Sequence, residues 1–206
     1  MMFTEQSRSM IRVTFRSLWL SGVALSVILL VLIGCQTRAQ SGQGSPSHPA
    51  QGAAAFALIP SQSREPAPEL NLMDISGTNV TLSQYRGKVV LLDFWAVDCG
   101  GCVIEIPWYV EFQNRYKQRG LSAIGVSMDD DGWKSVKPFL AKNKLNYPIV
   151  IGNENLAKQY GVKDMPVTLL IDQAGKIAES HAGMVDKNAF EAEIRALLQD
   201  NNKKRK

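Results

Sequence analysis

Leu92-Asp93-Phe94-Trp95-Ala96-Val97-Asp98-Cys99-Gly100-Gly101-Cys102 is the stretch that decides how this chain is read. It continues Val89-Val90-Leu91, so residues 89–95 are apolar almost without a break. Such a run is expected of a central strand buried on both faces, because a strand with one wet face alternates. Asp93 is its single interruption. Helical apolar spacing follows over residues 102–118, with Pro107 inside predicting a bend. The cysteine pair therefore stands where a buried strand hands over to a helix.

That position has a chemical use. The first N–H groups of a helix lack intrahelical partners and its dipole is positive there, so a thiolate is stabilised and its pKa falls. The spacing lets the second sulfur reach the first, so a mixed disulfide formed at the first is resolved by the second. Cys99 is the expected nucleophile and Cys102 the resolving thiol. Gly100 and Gly101 restrict the loop little. Other readings stay open on the residues alone. Half a zinc site would need two further ligands. Outside the pair the chain has one cysteine, Cys35, and two histidines, His48 and His181. Two thiolates with a histidine would suit Cu(I), although no methionine cluster accompanies them. Two inert buried cysteines are the plainest alternative, and the Gly-Gly between them argues against it. No metal is expected.

Beyond the pair, Ser122–Ser127 reads as a second buried strand. Asp129-Asp130-Asp131-Gly132 precedes a helix over about 133–142, where the acids suit the helix N-terminus. A calcium loop is disfavoured because the later glutamate of an EF-hand is missing. A short helix is predicted over 154–160. Thr168–Asp172 and Lys176–Ser180 read as strands around Gln173-Ala174-Gly175. Lys187–Leu198 closes as an amphipathic helix with Phe190, Ile194, Leu197 and Leu198 on one side. Ahead of the central strand, Leu70–Ile75 and Asn79–Leu82 flank Ser76-Gly77-Thr78 as a small hairpin. The fold class is α/β, a central mixed sheet flanked by helices with an N-terminal β-hairpin extension.

The N-terminus reads as an address. Arg8, Arg12 and Arg16 precede an apolar run of sixteen residues, Leu18–Ile33, the order of a secretory signal. The run is short of the ~20 residues of a membrane span. Leu32-Ile33-Gly34-Cys35 resembles the bacterial lipobox, in which the cysteine becomes the lipid-bearing first residue. Residues 1–34 are thus expected as signal peptide and Cys35 as the lipidation site. Residues 35–68, rich in Gln, Ser, Gly, Ala and Pro, read as a flexible tether. Residues 69–200 are the expected domain and 201–206 a basic tail. The formal net charge of +4 comes from the ends, since residues 35–202 hold 16 basic and 18 acidic side chains. That balance leaves no nucleic-acid footprint on the folded part.

The active segment resembles the thioredoxin superfamily, and residues 69–198 are similar to its membrane-tethered TlpA/ResA-like branch. The landmarks are Tyr85-Arg86-Gly87-Lys88-Val89-Val90, the Trp95 segment, Glu105-Ile106-Pro107 and Gly161-Val162-Lys163-Asp164-Met165-Pro166-Val167-Thr168. The resemblance implies a thioredoxin-like fold and a redox disulfide between Cys99 and Cys102. It implies that Pro166 is the cis-proline facing the pair, with the Met165 backbone left free for an extended substrate. Asp93 and Glu105 match acids that relay a proton to or from Cys102, and Trp95 is expected to cover the site and bind substrate. The dithiol needs no cofactor.

Two departures bear on redox strength. Asp98 replaces an aromatic, which should disfavour the Cys99 thiolate. Gly101 replaces a proline. The dipeptide also lacks the histidine of strongly oxidising relatives, which favours a reductase or isomerase. In an oxidising compartment a reductase needs a membrane electron donor. Its substrates would be protein disulfides, cytochrome c apoproteins being the family's best-known class. The front of the domain also resembles peroxiredoxins, whose nucleophile follows Pro-x-x-x-Thr-x-x-Cys. Phe94–Cys99 lacks both the proline and the threonine.

Overall fold

The computed structural model describes residues 58–204, with side chains to Asp200. The expected signal segment, Cys35, His48 and most of the expected tether lie outside the described residues.

The central strand forms as its composition dictates. β3 (Val89–Trp95) is buried at every position and lies in the middle of a five-stranded sheet. On one side it pairs in parallel with β4 (Leu121–Ser127), which pairs in parallel with β5 (Ile149–Ile151). On the other side it pairs antiparallel with β6 (Val167–Ile171), which pairs antiparallel with β7 (Ile177–Ala182). The order β5-β4-β3-β6-β7 is the expected mixed sheet. β1 (Asn71–Met73) and β2 (Asn79–Thr81) form the separate hairpin, which Asp74 ties to Val150 of β5. β5 was not foreseen. Three residues after Pro148 give too short a run for periodicity to register.

Because a strand alternates, β3 feeds two cores. Val90, Leu92 and Phe94 face the hairpin's Val80 and the helix α3 (Glu154–Gln159), through Leu156. Val89, Leu91 and Trp95 face α1 (Gly100–Tyr116), α2 (Trp133–Lys142) and α4 (Lys187–Lys204). Asp93 has the same parity as Leu91 and Trp95, so its carboxyl is sent into the α1 side. Helix α4 buries Phe190, Ile194, Leu197 and Leu198, the predicted stripe. Its backbone stays helical to Lys204, past the start of the expected tail.

Two expectations are corrected here. Residues 59–67 belong to the domain, although the tether was expected to run to residue 68. Ile59 donates to the Ala178 carbonyl, Ala67 to Gly175 and Ile177 to Glu65, while Arg64 is buried against Asp172. Those partners lie about a hundred residues downstream, beyond the reach of local pattern. The acids before α2 do not start that helix either. Its first turn holds no acid and Gly132, with φ 57°, is the N-cap. Asp129 instead turns back to accept from the Val97 N–H at 3.1 Å and the Ser127 hydroxyl at 2.8 Å. It thereby latches the segment leading into the cysteines.

Candidate active site

The site forms where β3 ends and α1 begins. Cys99 is the N-cap of α1, and its Sγ accepts from the Cys102 N–H at 3.2 Å. Cys99 and Cys102 form a disulfide, with Cα atoms 5.3 Å apart. The two sulfurs differ in access. Cys102 is fully buried among the α1-side core residues, whereas Cys99 is half-buried at the surface. An external thiol or disulfide can meet Cys99 directly but not Cys102.

The Met165–Pro166 peptide bond is cis, at the position the sequence marked. Pro166 lies against the dithiol loop: a methyl group on Gly101 would come within 3.3 Å of its Cδ. The same methyl would come within 3.0 Å of Met184 Cγ, so Met184 roofs the second glycine of the motif. Met184, in the loop after β7, was missed by sequence reasoning because no periodic pattern marks it. Met184, Met165 and Ile104 are exposed at 54, 37 and 50%; Met184 lies against Gly101, and Met165 precedes the proline that does the same. Beside it a cleft is lined by Asp98, Asp129, Asp130, Asp131 and Met165.

Behind the dithiol lie the two predicted acids, and both are buried. Glu105 is one helical turn beyond Cys102, and its Oε1 accepts from the Val185 N–H at 2.6 Å. Burial raises its pKa above the ordinary carboxylate value, while the Val185 N–H, the Tyr109 hydroxyl and the His181 ring oppose the rise. Burial, reinforced by the Glu105 charge, pushes Asp93 well above the same range, against a weaker pull from Thr168. Each acid keeps one oxygen without a hydrogen bond, Asp93 Oδ2 and Glu105 Oε2.

Trp95 is the corrected member of the set. It was expected to cover the site and bind substrate, yet it is fully buried and stacks on Phe139 of α2 at 5.0 Å. Its position on β3 turns it inward, so it is part of the core beneath the dithiol. The second histidine is also spoken for. His181 is buried on β7, with its Nε2 2.9 Å from Glu193 Oε2 and its ring edge on Phe190.

A helix-capping cysteine pair at the end of the central strand, opposed by a cis-proline from the antiparallel half of a mixed sheet, is the architecture of a thioredoxin-like domain. Known proteins agree. Residues 64–180 match the AhpC/TSA family, and the chain belongs to that family. It is 32% identical over 133 residues to the thiol-disulfide oxidoreductase ResA of Bacillus thuringiensis subsp. konkukian, covering 64% of this chain and 76% of ResA. ResA of Geobacillus kaustophilus is 33% identical over 132 residues, covering 64% and 75% of the two chains. Among solved structures, a thiol:disulfide interchange protein of the DsbE type from Chlorobium tepidum superposes with a TM-score of 0.63 at 36% identity, covering 66% of this chain and 96% of that one.

Proposed function

We propose that this chain is an extracytoplasmic thiol–disulfide oxidoreductase that reduces protein disulfides through Cys99 and Cys102. The observation that carries the reading is the unequal access of the two sulfurs across the cis-Pro166 loop. The reduced Cys99 thiolate, favoured by the α1 N-terminus, attacks one sulfur of a substrate disulfide. The other substrate sulfur leaves as a thiolate. Cys102 loses its proton to a buried acid and attacks Cys99 Sγ. The Cys99–Cys102 disulfide forms and the second substrate sulfur leaves. Two electrons pass to the substrate, and an outside donor must restore the dithiol.

Glu105 and Asp93 act as the acids, because burial brings their pKa values toward the working range. Met165, Pro166, Met184 and Ile104 form the seat of an extended substrate segment. The likeness to ResA and to a DsbE-type protein supports action on disulfides of other proteins, and the resemblance of the active segment suggests cytochrome c maturation proteins among them. The apolar run ending in Leu32-Ile33-Gly34-Cys35 supports lipid anchoring at Cys35 on the outer face of a bacterial membrane, with a membrane protein as electron donor.

The test is the reduction potential of the full chain together with trapping by Cys102→Ala. A potential near ~−270 mV marks a reductant and one near ~−120 mV an oxidant. Cys102→Ala should accumulate mixed disulfides through Cys99. If it traps none, the assigned roles are wrong.

A further inference from the structure

We propose that Asp129 is a positioning residue for the nucleophile: its carboxylate holds the turn that carries Cys99 onto the start of α1. This role rests on the dithiol reading above and falls to a residue beyond β4, outside the motif around the cysteines.

The latch sits where the chain leaves the sheet. Just past β4, the Met128 N–H still bonds the Trp95 carbonyl at 2.8 Å. From there the chain must turn into α1 over residues 96–99. The Cys99 N–H closes that turn on the Ala96 carbonyl at 3.2 Å. Within the turn, the Val97 N–H donates to the Asp129 carboxylate, 3.1 Å from Oδ1 and 3.3 Å from Oδ2. Among the described residues, Asp129 is the one side chain hydrogen-bonded to residues 96–98. With both oxygens in reach, the bond survives small rotations of the carboxylate.

Asp129 is itself held. Ser127, fully buried on β4, donates its hydroxyl to Asp129 Oδ2 at 2.8 Å and accepts the Asp129 N–H at 3.2 Å. The Asp129 carbonyl accepts the Gly132 N–H at 2.9 Å. The carboxylate therefore cannot swing away from Val97 without losing its bond to a hydroxyl anchored in the sheet. Hydrogen bonds to a carboxylate are also stronger than those between neutral groups. A path of short contacts runs from Ser127 through Asp129 and Val97 to Cys99. The sheet, as well as the helix, thereby decides where Cys99 Sγ lies.

That placement matters to the thiolate. Cys99 caps α1, and its Sγ accepts from the Cys102 N–H. Once the disulfide opens, the same N–H and the helix dipole steady the Cys99 thiolate. The effect falls off within one helical turn, so it depends on where the 96–99 turn sets the sulfur. Charge alone would act in the opposite sense. Asp98, Asp130 and Asp131 share the cleft with Asp129, while Asp93 and Glu105 are buried behind the dithiol. One more carboxylate among these can only disfavour a thiolate. The latch and the charge of Asp129 thus have opposite signs, and removing each separately tells them apart.

The test follows Cys99 alone. Reduced full chain is treated with iodoacetamide from pH 4 to 10, and the rate at which Cys99 takes up the label is read by mass spectrometry. Asp129→Ala should move the midpoint of that profile up by about half a unit to one unit, slowing uptake about three- to tenfold below it. Asp129→Asn keeps an acceptor for Val97 and a donor for the Ser127 hydroxyl, so its midpoint should lie at or slightly below the wild-type value. Ser127→Ala, a smaller change inside the sheet, should shift the midpoint upward by less, and it decides the question where Asp129→Ala does not fold. A wild-type profile in the alanine variants overturns the latch. So does a downward shift shared by Asp129→Ala and Asp129→Asn, which would mean that the carboxylate acts by its charge. An upward shift of equal size in both overturns it too, because asparagine preserves the bond to Val97. The label contains no disulfide, so a wild type that reduces no protein disulfide counts against the function and not against the latch.

Discussion

Buried carboxyls stand at both ends of the sheet, and the two ends treat them differently. At the β6–β7 turn, away from the cysteines, Asp172 is satisfied throughout. Its Oδ2 meets the Arg64 guanidinium at 3.0 Å, and its Oδ1 accepts the Ala174 and Lys176 N–H groups at 2.9 and 3.0 Å. Behind the dithiol, Asp93 and Glu105 are buried as deeply but form no salt bridge among the described residues, and each keeps an oxygen unbonded. The first arrangement locks the chain, because removing any partner strands a charge in low dielectric. The second leaves the proton as the cheapest partner, so the group titrates where chemistry can use it. Incomplete satisfaction, more than burial, separates the functional acid from the structural one.

The sharpest way to break this contrast is at the rear. Arg64→Ala leaves Asp172 buried without its cation and should cost about 3–5 kcal/mol of stability, measured by urea unfolding. The reduced chain should still release two thionitrobenzoates from Ellman's disulfide, one for Cys99 and one for Cys102, at the wild-type rate. A large change in that rate would mean the two ends are coupled.

A smaller and opposite effect is expected at the front. Asp93 has a raised pKa in the folded state, so the folded chain binds this proton more tightly than the unfolded chain. Its contribution to stability is complete below the unfolded value of about 3.9 and is lost as pH rises toward the folded value. Asp93→Asn removes that loss. Relative to wild type the variant should gain stability with pH, at up to about 1.4 kcal/mol per unit between those values, in urea unfolding from pH 4 to 8. A constant offset would show that Asp93 is not proton-linked.

The smallest effects are expected at the lip, where the two motif glycines sit in different surroundings. A methyl on Gly100 meets nothing within 4 Å, whereas one on Gly101 presses on Met184 and Pro166. Gly100→Ala should be neutral or stabilising by about 0.4–1 kcal/mol through the unfolded chain. Gly101→Ala should displace Met184 and raise KM for a protein disulfide with little change in the Ellman reaction. Equal KM values for the two variants would remove Met184 from the substrate seat.

The site was only partly legible. Cys99, Cys102, Glu105 and Pro166 were marked because each belongs to a local motif. Trp95 was misplaced because a motif does not say to which side its aromatic turns; strand parity, set by packing, turned it inward. Asp129 was misread for a related reason. Its hydrogen bonds reach back 32 residues to Val97, and no local signal distinguishes that from a helix start. Arg64 looked like linker because its partner lies 108 residues away.

What the sequence determined by itself is the local chemistry: a buried strand running into a glycine-rich cysteine pair at a helix start. Hydrophobic run length and spacing suffice for that, since backbone period and helix dipole act within a few residues. Tertiary packing decided the surroundings of the acids that the motifs had marked. Asp93 on β3, Glu105 on α1 and Thr168 on β6 come from three elements, and they lie behind the dithiol because α1 packs over the β3–β6 ladder. Burial and unmet hydrogen bonds, the properties that make those carboxyls titrate, arise only when the elements meet.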